Sequence, residues 1–253
     1  MAMCSSNPRS LSFKEAYDLL VKPGDGPISR HINRRISIRI SLFLIRRGSP
    51  VSPLAMSLLS FSTALVGSLF FVLGWPLIGG LLAQLASVLD GCDGEIARLT
   101  GRASGRGGLL DAFLDRLADV GLTLSLGLLA YWAGPPALLA ACLPLRLPLE
   151  LQMPPWPTLA LLLTALALSG SLMVSYCAAI TQALAPVQLR RLIGSRDIRL
   201  FLIMLAGVAC QFYTWAASLA LLLLALLSWA ETGRSLAQAL RALSRNREER
   251  GPQ

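Results

Sequence analysis

Acidic residues cluster in one short and otherwise apolar stretch of the sequence. Six of the 14 acidic residues are Asp90, Asp93, Glu95, Asp111, Asp115 and Asp119. A charge in the middle of a membrane costs about 3 kcal/mol even on lenient insertion scales, and neighbouring anions also repel one another. A bound cation, or a polar cavity that contains one, is the natural way to offset these costs.

The spacing of these acids predicts that their side chains converge. Asp90 and Asp93 are three residues apart and therefore face the same side of a helix. The aspartates of Asp111–Asp119 recur at intervals of four and form a stripe on the next helix. Because the link at 100–108 is short, the two helices are expected to be antiparallel neighbours.

The cluster offers only oxygen ligands. His31 is the only histidine, and the five cysteines are scattered without the spacing of a zinc site. Mg²⁺ or Mn²⁺ therefore suits the cluster better than Zn²⁺. Chemistry that needs a histidine base is nearly excluded, which leaves a carboxylate as the available base.

Two other interpretations of the acids are considered. The first is a set of salt bridges between helices, but the nearby arginines Arg98, Arg102, Arg106 and Arg116 cannot easily neutralise all six acids. The second is a proton or cation pathway, which is the stronger rival. Neither alternative accounts for the glycines and Arg98 at fixed positions around the acids.

The elements that carry the acids are predicted to be membrane helices. Only 15% of the residues are charged, against roughly a quarter in soluble domains. Four runs lack any charge: 54–74, 120–145, 151–189 and 200–230. Each is long enough for a membrane span, which needs about 20 apolar residues. One small soluble domain could not bury several such helices.

The predicted fold is an all-α integral membrane protein with six transmembrane helices and an N-terminal interfacial amphipathic helix. The predicted spans are about 54–74, 77–99, 109–133, 158–182, 190–210 and 212–232. Residues 28–47 combine basic and apolar side chains, with Ile32, Ile36, Ile40 and Phe43 on one helical face, which is typical of a helix at the membrane surface. A short helix is also expected near Ser12.

Three segments follow from this pattern. Residues 1–50 are expected to form a cytoplasmic lead-in with the interfacial helix, 51–233 the six-helix membrane domain, and 234–253 a basic cytoplasmic tail. Of the 23 lysines and arginines, only Arg146 lies outside in this arrangement. The asymmetry predicts cytoplasmic termini and an active site at the cytoplasmic face. The net charge of +9 is thus explained by topology and by membrane lipids, without nucleic acid.

One segment resembles a known motif at eight positions across 26 residues. It reads Asp90-x-x-Asp93-Gly94-x-x-Ala97-Arg98, then eight residues to Gly107, three to Asp111 and three to Asp115. This pattern resembles the motif of the CDP-alcohol phosphotransferases. The resemblance implies an enzyme that transfers a phosphoalcohol from a CDP-alcohol donor to a hydroxyl acceptor and releases CMP.

The resemblance also implies roles for individual residues. Asp90, Asp93 and Asp111 would bind two divalent metal ions, Mg²⁺ or Mn²⁺, and Asp115 would serve as the base and could also ligate. The positions implied to hold the CDP moiety are Gly94, Ala97, Arg98, Ser104 and Gly107. A homodimer is also expected from the family.

Two further segments resemble the di-myo-inositol-phosphate-phosphate synthase branch of this family. They are 22–37, which begins Lys-Pro-Gly-Asp-Gly-Pro, and 195–201, Ser-Arg-Asp-Ile-Arg-Leu-Phe. The sequence departs from many relatives at Leu54, where they have asparagine after a proline. Some members of the branch carry an N-terminal cytidylyltransferase domain that this sequence lacks, so we expect another protein to supply the activated donor.

The acceptor is expected to be an anionic alcohol such as inositol phosphate. The candidate arginines for its binding are Arg30, Arg34, Arg35, Arg190, Arg191, Arg196 and Arg199. The leading hypothesis is transfer from CDP-inositol to inositol phosphate. The alternatives are a phospholipid-forming phosphatidyltransferase that uses CDP-diacylglycerol and, from another class, a membrane ion or proton transporter.

Overall fold

The computed structural model describes residues 11–21, 26–48, 51–133, 155–184 and 194–250, which contain helices and turns but no strand. The helices are α1 (Phe13–Leu20), α2 (Arg34–Arg46), α3 (Pro53–Val72), α4 (Pro76–Leu99), α5 (Gly105–Ala133), α6 (Pro155–Leu184), α7 (Arg196–Ala209) and α8 (Ala216–Arg250). A π-helical turn at Ser29–Asn33 leads directly into α2. The prediction of an all-helical protein is confirmed for these residues.

Three helices are long and apolar enough to cross a membrane: α3, α6 from Trp156, and α8 as far as Ser244. The helices α4 and α5 are also long, but they carry the acids of the cluster. The 14 residues of α7 reach only about 21 Å, less than the apolar core of a bilayer. The prediction of six spans therefore stays a prediction for α4, α5 and α7.

Two predicted boundaries differ from the structure near the C-terminus. The predicted span at 190–210 is represented by α7, which begins at Arg196, while 190–193 lie outside the described residues. The predicted span at 212–232 begins later, at Ala216, and its helix continues to Arg250. The segment after position 234 thus begins as an extension of α8 rather than as a separate element.

Small residues bring α7 close to α4. A β-carbon on Gly207 would lie 2.3 Å from the carbonyl oxygen of Pro76, and one on Gly80 would lie 2.9 Å from the carbonyl oxygen of Met204. No side chain fits at either position without moving the backbone of the other helix. This close contact holds α7 beside α4, whose C-terminal half carries Asp90 and Asp93.

The N-terminal elements form a small unit of their own against α4. Ser12 caps α1 through a reciprocal pair of hydrogen bonds with Glu15, and these bonds lower the pKa of the Glu15 carboxyl. Leu20 on α1 packs with Ile38 and Leu42 on α2 in a separate apolar cluster. This is the short helix that the sequence predicts near Ser12.

The opposite face of α2 is uncovered in the structure. Ile36 and Phe43 are 43% and 54% exposed, and Ile32 just before α2 is 37% exposed. These are three of the four residues that the sequence pattern places on a membrane-facing stripe. The fourth, Ile40, is partly buried and packs against the apolar cluster of Met56, Cys92 and Ile96. The helix is therefore present with an exposed apolar face, and its position at the membrane surface stays a prediction.

Candidate active site

Carboxylates from α4 and α5 meet in the structure. Asp90, Asp111 and Asp115 each offer an oxygen atom, and the three atoms lie within 4.8 Å of one another. Asp93 and Asp111 line the same cavity. The structure thus brings together the four aspartates that the sequence analysis selects, two from each helix.

The oxygen donors fit a hard divalent cation. Three carboxylate oxygens at this separation match the ligand type that Mg²⁺ and Mn²⁺ prefer. Asp111 and Asp115 are partly buried on α5, and Asp90 is partly buried on α4, so the group is accessible from one side. The three carboxylates are therefore candidate ligands of a metal ion.

Ser57 on α3 positions Asp93. Its hydroxyl donates a hydrogen bond of 2.5 Å to Oδ2 of Asp93, and the backbone N–H of Gly94 donates to Oδ1. Ser57 was not among the predicted site residues. Ser57 and Ser60 are three residues apart and both buried on α3, and this spacing was the available signal for polar contacts with a neighbouring helix.

Arg196, the first residue of α7, lies among the aspartates. Its Nη1 is 2.7 Å from Asp90 and 2.9 Å from Asp115, and its Nε is 3.3 Å from Asp119. One guanidinium therefore touches carboxylates of both α4 and α5. In the sequence analysis Arg196 is a candidate for acceptor binding, and this contact with the acids was not expected.

Asp119 lies at the buried end of the stripe and forms a network of ion pairs. Its Oδ2 is 2.7 Å from Nη2 of Arg199 and 3.2 Å from Nη1 of Arg116. Arg199 also donates a 2.8 Å hydrogen bond to the carbonyl oxygen of Gly194 and is only 5% exposed. Because both contacts are to the protein itself, Arg199 stabilises the fold in this structure and is not available to bind an acceptor.

Glu95 is fully buried against the N-terminal segment. It accepts hydrogen bonds from Ser37 at 2.6 Å and Ser41 at 2.7 Å, and it pairs with Arg34 at 2.9 Å. Arg34 also donates to the carbonyl oxygen of Gly91. These contacts fix α2 on α4, and they occupy Arg34, which the sequence analysis treats as a candidate for acceptor binding.

The expectation that arginines cannot easily neutralise all six acids rests on four arginines that are close to the acids in sequence. In the structure, Arg34, Arg196 and Arg199, from α2 and α7, also pair with acids. The structure pairs Glu95 and Asp119 internally. In the part of the chain that is described, no ion pair joins Asp93 or Asp111 to a cation, so excess negative charge remains there.

An open cavity of about 590 Å³ adjoins these two unpaired aspartates. Its walls include all the positions that the motif associates with CDP: Gly94, Ala97, Arg98, Ser104 and Gly107. Asp93, Asp111 and Ser57 also line it, as does Leu54, where many relatives have asparagine. A polar ligand of nucleotide size would therefore contact both the arginine side chain and the acids.

Two glycines on this cavity are not explained by packing of the protein. A β-carbon on Gly94 would meet only the side chain of Arg98, at 3.5 Å or more, and one on Gly108 would meet nothing within 4 Å. Both residues lie in helices, where glycine costs about 1 kcal/mol relative to alanine. The free space on their surfaces is thus consistent with close approach of a ligand.

A second, smaller pocket of about 70 Å³ lies on the other side of Asp90. It is lined by polar residues of four elements, among them Ser29, Asn33, Arg34 and Arg196. Asp197 accepts a 2.7 Å hydrogen bond from the backbone N–H of Ser29, which ties the N-terminal segment to α7. The smaller pocket therefore reaches Asp90, whereas the larger cavity reaches Asp93 and Asp111.

The remaining acceptor candidates are more distant from the acids or lie outside the described structure. Arg30 and Arg35 are exposed on the segment that leads into α2 and along it, and neither lines the two pockets at the acids. Arg190 and Arg191 are outside the described residues. Of the seven candidates, Arg34 and Arg196 are those that line the smaller pocket.

The fold and the site define a helical membrane enzyme with a cluster of aspartates shared by two adjacent helices. A family model described as CDP-alcohol phosphatidyltransferase matches residues 51–231. The chain belongs to this family. The match covers α3 to α7 and most of the apolar part of α8, and it includes every aspartate of the cluster.

Curated relatives agree with this assignment. The bifunctional IPC transferase and DIPP synthase of Thermococcus kodakarensis is 39% identical over 225 residues, which cover 84% of this chain and 45% of the relative. The protein of that name from Archaeoglobus fulgidus is 36% identical over 203 residues, covering 76% of this chain and 35% of the relative. The chain thus spans less than half the length of these relatives.

Solved structures share the fold. The phosphatidylinositol phosphate synthase of Mycobacterium tuberculosis with CDP-DAG bound has a TM-score of 0.60 and 24% identity, covering 81% of this chain and 94% of that one. The same protein in complex with manganese and citrate has a TM-score of 0.61 and 24% identity, covering 81% and 89%. At this identity the likeness establishes a common helical architecture.

Proposed function

We propose that this enzyme transfers a phosphoinositol group from CDP-inositol to the hydroxyl of an inositol phosphate and releases CMP. The observation that carries the proposal is the meeting of Asp90, Asp111 and Asp115 beside a 590 Å³ cavity lined by the CDP-associated positions. The relatives named IPC transferase and DIPP synthase support this choice of substrates.

Asp90, Asp93, Asp111 and Asp115 would hold two divalent ions, Mg²⁺ or Mn²⁺. When bound, such ions neutralise the charge of a pyrophosphate and orient it for displacement. Arg98 would contact the phosphates or base of the donor from the cavity wall. Ser57 would keep Asp93 turned toward the cavity through its 2.5 Å hydrogen bond.

Asp115 would act as the base. The acceptor hydroxyl attacks the phosphorus nearer to the donor alcohol, and a new P–O bond forms as the P–O bond to CMP breaks. The proton of the hydroxyl passes to the Asp115 carboxylate, and the electron pair of the broken bond leaves with CMP. Most of the catalysis would come from positioning and charge stabilisation.

The acceptor would approach from the smaller pocket. Arg196 lines it, and guanidinium groups bind phosphate in a bidentate manner. Arg34 also lines it but stays paired with Glu95. Arg196 also lies 2.9 Å from Asp115, so an anion held there would be close to the base.

A phosphatidyltransferase that uses CDP-diacylglycerol is the second candidate. It is favoured by the fold shared with a synthase that has CDP-DAG bound. A relative named archaetidylinositol phosphate synthase, 33% identical over 84 residues, also favours a lipid donor. The aspartate cluster serves both reactions, so the donor must be identified by assay.

We also propose a topology for the chain. The membrane domain 51–233 would cross six times, with both termini and the aspartates at the cytoplasmic face, the lead-in 1–50 at the membrane surface and 234–253 in the cytoplasm. The excess of arginine and lysine on that side supports this orientation. The protein would form a homodimer.

The proposal predicts a specific pattern of CMP release. Purified full-length protein with Mn²⁺ or Mg²⁺ is offered CDP-inositol or CDP-diacylglycerol, each with inositol phosphate or glycerol phosphate. We expect CMP only when a donor and an acceptor are both present, with the highest rate for CDP-inositol and inositol phosphate. Mass spectrometry of the product identifies the group transferred.

The other outcomes separate the rival functions. Faster turnover of CDP-diacylglycerol would replace the proposed donor with a lipid. Ion flux into vesicles without CMP release from any pair would favour the transporter. An Asp115→Asn variant serves as the control for contaminating activity from the expression host.

A further inference from the structure

A second basic site lies on the surface between α1 and α2. It is a cavity of about 430 Å³ lined by Phe13, Arg39, Leu42, Phe43, Arg46 and Arg47. None of these residues lines the two pockets at the aspartates. The proposed transfer reaction therefore leaves this cavity without a role.

The three arginines of the cavity are held by contacts that leave their charge uncompensated. Arg39 lies over the ring of Phe13 at 5.0 Å, and Arg47 lies over the ring of Phe43 at 4.7 Å. Arg46 donates a 2.7 Å hydrogen bond to the backbone carbonyl oxygen of Leu11, just before α1. Among the described residues, no acidic side chain pairs with any of the three.

The walls of the cavity are fixed by packing. Leu20 of α1 and Ile38 of α2 are almost fully buried against each other's helix. The hydroxyl of Tyr17 donates a 3.0 Å hydrogen bond to the carbonyl oxygen of Arg30, which adds a second link between α1 and the segment before α2. The guanidinium groups are thus presented by two helices in a fixed relation.

The cavity opens beside exposed apolar side chains. Phe43 is 54% exposed at its edge, and Ile36, two turns earlier on α2, is 43% exposed. A basic surface that contacts only water does not require exposed apolar side chains. A phosphate surrounded by glycerol and acyl carbons presents an anion and an apolar surface together, which is the combination that this site complements.

We propose that this cavity binds the phosphate of an anionic phospholipid of the surrounding membrane. Guanidinium groups match the oxygens of a phosphate, and arginines already stacked on aromatic rings lose little freedom when they bind it. Phe43 would contact the glycerol and upper acyl region of the lipid. Bound in this way, the lipid would anchor α1 and α2 at the membrane surface.

The test compares retained lipids on full-length protein by native mass spectrometry. Protein in neutral detergent is titrated with phosphatidylglycerol or with phosphatidylcholine of the same acyl chains. We expect phosphatidylglycerol to bind at least tenfold more tightly. Arg39→Gln and Arg47→Gln, tested singly, should each weaken its binding at least threefold, while Arg241→Gln, the same charge change at an exposed site on α8, should not.

Three results would overturn the proposal. Equal retention of the two lipids would remove the preference for an anion. Equal weakening by Arg241→Gln would reduce the effect to overall charge. Inorganic phosphate binding as tightly as phosphatidylglycerol, with no effect of Phe43→Ser on the lipid, would make this a site for free anions. Melting curves in lipid-free detergent verify that each variant is folded.

Discussion

Replacement of Asp115 by asparagine is expected to abolish transfer while the protein stays folded. Asparagine has nearly the same shape but cannot accept a proton from the acceptor hydroxyl. Removal of a general base lowers rates by roughly 10²- to 10⁴-fold. The side chain of Asp115 is 18% accessible, and Arg196, which it contacts, keeps its ion pairs with Asp90 and Asp119, so the fold should be retained. The measurement is CMP release under saturating donor and acceptor.

The matched control for this variant is Asp18→Asn. Asp18 is an exposed aspartate on α1 and touches neither pocket at the active site. It should retain full activity. If Asp115→Asn also turned over at the normal rate, Asp115 could not be the base, and one of the other three aspartates would have to be tested in that role.

Replacement of Asp119 by leucine is expected to destabilise the protein strongly. Arg199 is only 5% exposed and would lose the 2.7 Å ion pair that compensates its charge. Removal of one partner from a buried ion pair costs about 3 to 5 kcal/mol. A lower unfolding temperature in detergent, measured without substrates, would report this loss.

The double variant Asp119→Leu with Arg199→Leu isolates the cause. It removes the buried charge together with its partner, so most of the lost stability should return. If the double variant were as unstable as Asp119→Leu alone, packing around α5 and not the charge of Arg199 would explain the defect. An unchanged melting temperature in Asp119→Leu would mean that the network contributes nothing to the fold.

The convergence of the aspartates could be predicted because it depends on local geometry. Helical spacing puts Asp90 beside Asp93 and Asp111 beside Asp115, and a short link makes α4 and α5 antiparallel. The CDP-associated positions on one cavity follow from the same geometry, since they occupy the facing ends of those two helices. No information about distant parts of the chain is needed.

The counter-charges of the acids could not be predicted in the same way. Arg196 and Arg199 are about 80 positions from Asp119 in the chain, and their approach depends on the packing of α7 against α4 through Gly80 and Gly207. A single sequence shows glycines in two helices but not that they face each other. The ion pairs of the site were therefore underestimated.

Some helix boundaries could likewise be predicted from the sequence, whereas others could not. The N-cap Ser12 with Glu15 marks the start of α1, and both are visible in the sequence. The short α7 and the long α8 were predicted as two spans of similar length, because apolar composition alone does not reveal where a helix ends. The break between them, at Cys210–Trp215, is a turn that lacks proline or glycine.

The most direct test of the account is binding of Mn²⁺ to metal-stripped protein, followed by electron paramagnetic resonance. The account predicts saturable binding that is at least tenfold weaker in Asp90→Asn and in Asp111→Asn, and CMP release that disappears with a chelator and returns with Mn²⁺. Asp18→Asn should bind Mn²⁺ normally. Stripped protein that releases CMP at the full rate, or aspartate variants that bind Mn²⁺ undiminished, would contradict the proposal that these carboxylates form the catalytic metal site.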